Sequence, residues 1–261
     1  MYFDLICSII IFNSFKVDYF TFFFLIALAG IAFCYSAVGH GGASGYIAMF
    51  ALFGMVSPNM KSFVLVMNLA VASISFFQYY KQGYFNIKYF FPFGLGATPM
   101  AYLGASIKID ASIYQYILSA FLLFSVLFLL GIFDHYKNRL QISYKPFKAL
   151  LIAMLLGFVS GITGVGGGIF LSPILLMLGW LNVKQTAAVS ALFIVLNSLA
   201  GLVAIQNFDM LSNAEMLIKL IVVASFGYLG SKWGVSLKNT VILRRMLAFV
   251  LLIAAIKLCF V

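Results

Sequence analysis

Val38-Gly39-His40-Gly41-Gly42-Ala43-Ser44-Gly45 and Thr163-Gly164-Val165-Gly166-Gly167-Gly168 are two glycine clusters set in apolar sequence, with Gly39 and Gly164 separated by 125 positions. The spacing holds around them. Gly54 and Gly179 also stand 125 apart, and Tyr102-Leu103-Gly104 returns 126 positions later as Tyr228-Leu229-Gly230. A duplication constrains the whole architecture. Short glycine motifs can coincide in an apolar chain, but several at nearly one offset, inside matching patterns of apolar segments, indicate two copies of one unit.

Working outward from the clusters, a helix needs about 20 apolar residues to cross the hydrocarbon core. That length is met at 20–38, 62–80, 89–107, 113–133, 147–163, 186–205, 214–232 and 245–261. Two further apolar pieces, 43–57 and 168–181, fall short of it, and each follows a glycine cluster. The expected fold is therefore an all-α integral membrane protein of about ten segments, eight long and two short. Residues 1–18 form an N-terminal tail, 19–133 the first repeat, 134–146 a basic linker and 147–261 the second repeat.

Composition excludes a soluble globular domain. Of 261 residues, 64% are hydrophobic and 8% charged, and the mean hydropathy is +1.12. The solvent must be lipid. The formal charge of +10 comes from 16 Lys and Arg against six acids, but the cations sit between apolar spans, where cytoplasmic loops collect them, so no nucleic-acid partner is expected. Cys7, Cys34 and Cys259 are isolated and have neither disulfide-framework nor metal-ligand spacing.

Loop charge also sets direction. The stretch from Asp134 to Lys148 carries Lys137, Arg139, Lys145 and Lys148 and is assigned to the cytoplasm. If each short piece crosses, the loops with Lys81 and Lys88 and with Lys232, Lys238, Arg244 and Arg245 fall inside, and the acidic loop with Asp209 and Glu215 falls outside. If the short pieces turn back instead, the acidic loop moves in and the four-cation loop moves out, against the rule. Ten crossings place both termini outside. Five segments per copy is an odd number, so the second copy enters the bilayer upside down. Inverted repeats with a midplane site at interrupted helices recur in secondary transporters.

The candidate chemistry lies at the clusters. Irregular backbone inside lipid is tolerated only where protein or a water-filled cavity satisfies it. Glycines that end one helix and begin a shorter one present N–H groups at the positive end of a half-helix, which suits an anion. The candidate substrate-binding residues are Gly39, His40, Gly41, Gly42 and Ser44 in the first cluster, and Thr163, Gly164, Gly166, Gly167 and Gly168 in the second. Asn68, Ser190 and Asn197 join them from the long spans, with Ser36 and Ser172 as further polar neighbours. Hydroxyls and amides can serve oxyanion oxygens without burying a charge, and they also serve as interhelical glue. The glycines alone could simply permit close helix packing.

His40 is the only histidine near the expected membrane interior, and Val165 stands at its counterpart. It could bind the anion as imidazolium, couple a proton, or sit neutral against a carbonyl. All six carboxylates lie near loops or in the tail, leaving no buried acid to hold a cation. No P-loop, metal motif or nucleophile constellation is present, so neither enzyme activity nor a cofactor is expected.

At the glycine clusters the chain resembles the sulfite exporter TauE/SafE family of anion permeases, whose halves each carry a glycine-rich stretch followed by a short apolar segment, often with a proline. Gly161 to Trp180, followed by Ala187, Ala188, Val189 and Ser190, matches this pattern, with Pro173 after the glycines. The first half departs from it in having His40 and no such proline. The resemblance implies export or uptake of sulfite, a sulfonate or a related small oxyanion. The expectation is a secondary carrier or facilitator for a small anion, working by alternating access in the cell membrane, in bacteria the inner one. A proton or sodium ion is the candidate coupling ion, and the sequence sets no oligomeric state. The competing expectation is a membrane-embedded accessory or assembly protein.

Overall fold

Eight helices and no strand form along the described residues of the computed structural model, which are 19–55, 60–107, 144–206 and 214–237 with single positions at 116, 120, 123, 126, 127, 241 and 252. The helices are α1 (Tyr19–Ala37), α2 (Ala43–Leu52), α3 (Met60–Lys81), α4 (Ile87–Ser106), α5 (Pro146–Thr163), α6 (Gly168–Met177), α7 (Val183–Ile205) and α8 (Ala214–Ser236). The tail 1–18, most of the linker 134–146 and, single positions apart, the expected segments at 113–133 and 245–261 lie outside the described residues.

Six of the expected long segments and both short ones correspond to these helices. The short ones end earlier than expected, at Leu52 and Met177 rather than 57 and 181. In each case a tight turn closes the helix: Met55 donates to the Phe50 carbonyl across Gly54, and Trp180 donates to the Leu175 carbonyl across Gly179. At 10 residues each, α2 and α6 are about 15 Å long, half the thickness of a hydrocarbon core. Among the described residues four helices, α3, α5, α7 and α8, are long and apolar enough to cross a membrane.

Local sequence accounts for the helix starts. Pro146 opens α5, where its missing N–H costs nothing. Asn182 and Gln185 form a reciprocal capping box at α7, and Asn86 caps α4 by accepting from the Lys88 amide. Inside α4, Pro92 cannot donate to the Lys88 carbonyl one turn back, and the Tyr144 hydroxyl donates to that carbonyl instead, at 3.2 Å.

Glycine and alanine bring whole helices together. Gly104 of α4 lies against the Phe158 carbonyl of α5, and Gly157 and Gly161 of α5 lie against the Ala97 and Ala101 carbonyls of α4. The pair is parallel. Gly230 and Gly234 of α8 meet the Phe33 and Ala37 carbonyls of α1 in the same way, again in parallel. Such close backbone approach is how helices associate where lipid removes the hydrophobic drive. Between these pairs run α3 and α7, the most buried of the four apolar long helices. They are antiparallel, with Leu65 against Gly201 and Asn68 against Ser198.

Candidate functional site

The short helices start where the central pair crosses. Gly42 and Gly167 hold the cap positions of α2 and α6 at φ 100° and 74°, a left-handed backbone that closes the break between helices with no side chain of their own to cap it. Ahead of Gly42, the N–H groups of Val38, Gly39 and His40 fold back onto the Tyr35 and Ser36 carbonyls at the end of α1. Ahead of Gly167, the Gly164 N–H donates to the Ser160 carbonyl at 2.8 Å.

Asn68 ties the two clusters together. Its Oδ1 accepts from the Ala43 N–H at 3.1 Å, so it caps α2, and its Nδ2 donates to the Ser198 hydroxyl at 2.9 Å. Gly41 and Gly166 both lie directly against this side chain, and a methyl on either would overlap it. Asn197, on α7, donates from Nδ2 to the Gly166 carbonyl at 3.5 Å. Gly39 presses on Ala187, and Gly168 on Ile194 and the Ser190 carbonyl. The clusters of the two halves therefore share one buried region.

His40 joins the halves through side chains. Its Nδ1 lies 3.0 Å from the Val38 carbonyl and its Nε2 lies 3.0 Å from Ser172 Oγ on α6, which lies 2.9 Å from Ser190 Oγ on α7. A carbonyl only accepts, so Nδ1 carries a proton. In the neutral ring Nε2 then accepts from Ser172, and Ser190 donates to Ser172. A second proton on the ring reverses the Ser172 bond: Nε2–H donates, and the Ser172 proton turns away.

The remaining candidates are engaged locally. Ser44 shares a hydrogen bond with the Tyr35 hydroxyl at 2.9 Å, and Thr163 donates to the Val159 carbonyl at 2.9 Å, one turn back in its own helix. Ser36 donates to the Phe33 carbonyl at 3.1 Å.

Sequence reasoning overlooked Tyr46. Its ring fills the space a side chain on Gly42 would occupy, and its fully buried hydroxyl has no hydrogen-bond partner among the described residues. Asn197 Oδ1 is likewise buried and unpartnered there. An unsatisfied buried polar atom costs about 1–3 kcal/mol, so each is poised for a ligand or a water. Nothing in the local pattern of α2 distinguishes Tyr46 from a packing aromatic. Among the described residues the single carboxylate is Glu215, which pairs with Lys219 at 2.5 Å near the start of α8.

A family model described as sulfite exporter TauE/SafE matches residues 22–258. A protein named probable membrane transporter protein from Sinorhizobium fredii is 36% identical over 241 residues, covering 90% of this chain and 95% of its own. A second protein of that description, from Methanocaldococcus jannaschii, is 28% identical over 137 residues, 50% of this chain and 49% of its own. No solved structure matches.

Proposed function

The chain belongs to the sulfite exporter TauE/SafE family and is a multi-pass membrane protein, and from that premise we propose that it is a secondary carrier for a small oxyanion, sulfite or a sulfonate. The observation that carries the reading is the meeting of both glycine clusters on Asn68, with His40 of one half bonded to Ser172 of the other. The groups gathered there are two half-helix starts, a phenolic hydroxyl without a partner among the described residues, serine hydroxyls and one imidazole. Donors without carboxylates suit a tetrahedral or pyramidal oxyanion.

Alternating access is the mechanism proposed. The antiparallel α3–α7 pair, flanked by the matched parallel pairs α1–α8 and α4–α5, supports an inverted repeat of the kind that rocks about a central site. Because the cluster contacts are tight, movement of one half against the other is needed to admit substrate. Protonation of His40 would reverse the Ser172 bond and place a positive charge beside the anion, which links proton movement to transport. The protein acts as a carrier, not an enzyme, in the inner membrane of a bacterial cell.

Proteoliposome flux of sulfite, sulfonates and carboxylates tests this reading. The expected result is saturable flux of at least one sulfur oxyanion. Folded protein that moves no anion above empty vesicles would overturn it.

A further inference from the structure

The two central helices each carry a lysine at their second position. In sequence Asn59-Met60-Lys61 parallels Asn182-Val183-Lys184, and Lys61 and Lys184 are each the second residue of their helices, α3 and α7. Because the helices are antiparallel, the two lysines lie at opposite ends of the central pair. Each bends back onto the end of a neighbouring helix. Lys61 Nζ donates to the carbonyl of Ile162, the penultimate residue of α5, at 3.1 Å. Lys184 Nζ donates to the carbonyl of Val235, the penultimate residue of α8, at 2.7 Å. The partial negative charge of a helix C-terminus holds an ammonium in this way, but supplies only part of a counter-charge. Neither lysine has a carboxylate partner among the described residues.

Each lysine also lies beside a glycine cluster. A methyl on Gly164 would fall 2.9 Å from Lys61 Cγ. Lys184 lies one helical turn from Ala187, the residue against which Gly39 packs. With Ala37, Val38, Tyr79, Ala187 and Gly234, Lys184 lines a cavity of about 80 Å³. That exceeds the roughly 30 Å³ share of one water and can take a single small oxyanion. Tyr84 stands against Lys184: its hydroxyl accepts from Lys184 Nζ at 3.2 Å, and its ring centroid lies 5.1 Å from the ammonium.

We infer that Lys184 and this cavity form a peripheral subsite for a small oxyanion on one face of the carrier, and that Lys61 serves the opposite face as its counterpart. Each ammonium swings from its helix-end carbonyl to the anion and delivers it to the adjacent glycine cluster. The inference rests on the anion-carrier reading, and adds two residues outside the shared central region. Loop charge assigns Lys184, with Tyr84 and the nearby Lys88, to the cytoplasmic face and Lys61 to the external one.

Sulfite flux measured separately from each face of oriented proteoliposomes tests the pair. Lys184→Gln is expected to raise the KM for sulfite on the cytoplasmic face about tenfold, as the loss of one charge-assisted hydrogen bond requires. Its external KM should stay unchanged. Lys61→Gln should give the mirror image, and the arginine variants should keep wild-type values. Equal changes on both faces, or none on either, would overturn the inference while leaving a transporting wild type, and so the carrier reading, intact. A wild type that moves no anion sinks the carrier reading itself. Should a glutamine variant fail to fold, wild-type protein carries the test: sulfite should slow acylation of the Lys184 amine, read by mass spectrometry, and leave Lys219 unaffected. Equal labelling with and without sulfite would overturn the subsite.

Discussion

The first glycine cluster and the second share a backbone plan but not a chemistry. Both end a long helix and start a 10-residue one at a left-handed glycine. The first contributes an imidazole, a phenol and a helix start capped by Asn68. The second contributes Val165 where His40 would stand, and its half supplies the hydroxyls of Ser172 and Ser190 that receive the imidazole. The two clusters thus share the break in the helix, which backbone geometry demands, and differ in the side chains they present. The one imidazole among the described residues comes from the first cluster, and its hydroxyl partners come from the helices that follow the second.

The comparison is most severely tested where the clusters touch. Gly41→Val and Gly166→Val each force a side chain into Asn68, and either should cost about 3 kcal/mol, the upper part of the overpacking range. Yield of monodisperse protein and melting temperature read the outcome, and tolerance at one position alone would break the equivalence of the clusters.

The two asparagines should differ. Asn68→Leu removes both the α2 cap and the bond to Ser198, with an expected loss of about 2 kcal/mol. Asn197→Leu removes one long bond and an unsatisfied buried oxygen, so stability should hold or rise while flux falls. Equal destabilisation by the two would contradict the assignment of Asn197 to ligand instead of structure.

His40→Gln is expected to leave folding nearly unchanged and to remove the pH dependence of flux. In the wild type the imidazolium is favoured as pH falls, so flux should rise on acidification. A variant that keeps this profile would take the proton role from His40. The smallest effect belongs to the turns: Gly54→Ala and Gly179→Ala meet no neighbouring atom but hold φ of 69° and 65°, and each should cost about 1 kcal/mol. Equal melting shifts would match the closing turns of α2 and α6.

Much of this was legible in the chain because lipid leaves few options. Apolar length marks helices, and glycine clusters inside such lengths mark breaks, since only glycine closes the left-handed turns at Gly42 and Gly167 without strain. The offset between clusters matched the starts of the two short helices, and the choice of Asn68, Ser190, Asn197 and His40 followed from polarity in apolar surroundings. Polarity could not say which groups face each other. Ser44 and Thr163 looked equivalent to Ser190 and are held by Tyr35 and by the preceding turn, while Tyr46 looked like packing and carries an orphan hydroxyl.

By itself, then, the sequence determined that the chain lives in lipid and where its short helices begin, because those properties follow from hydropathy and local backbone freedom. The meeting of both breaks on Asn68, the bond from His40 to Ser172 across 132 positions, and the return of two lysines to helix ends were decided only by tertiary structure. Such pairings depend on which helix faces which, and that is settled by glycine and alanine surfaces whose partners no local pattern names.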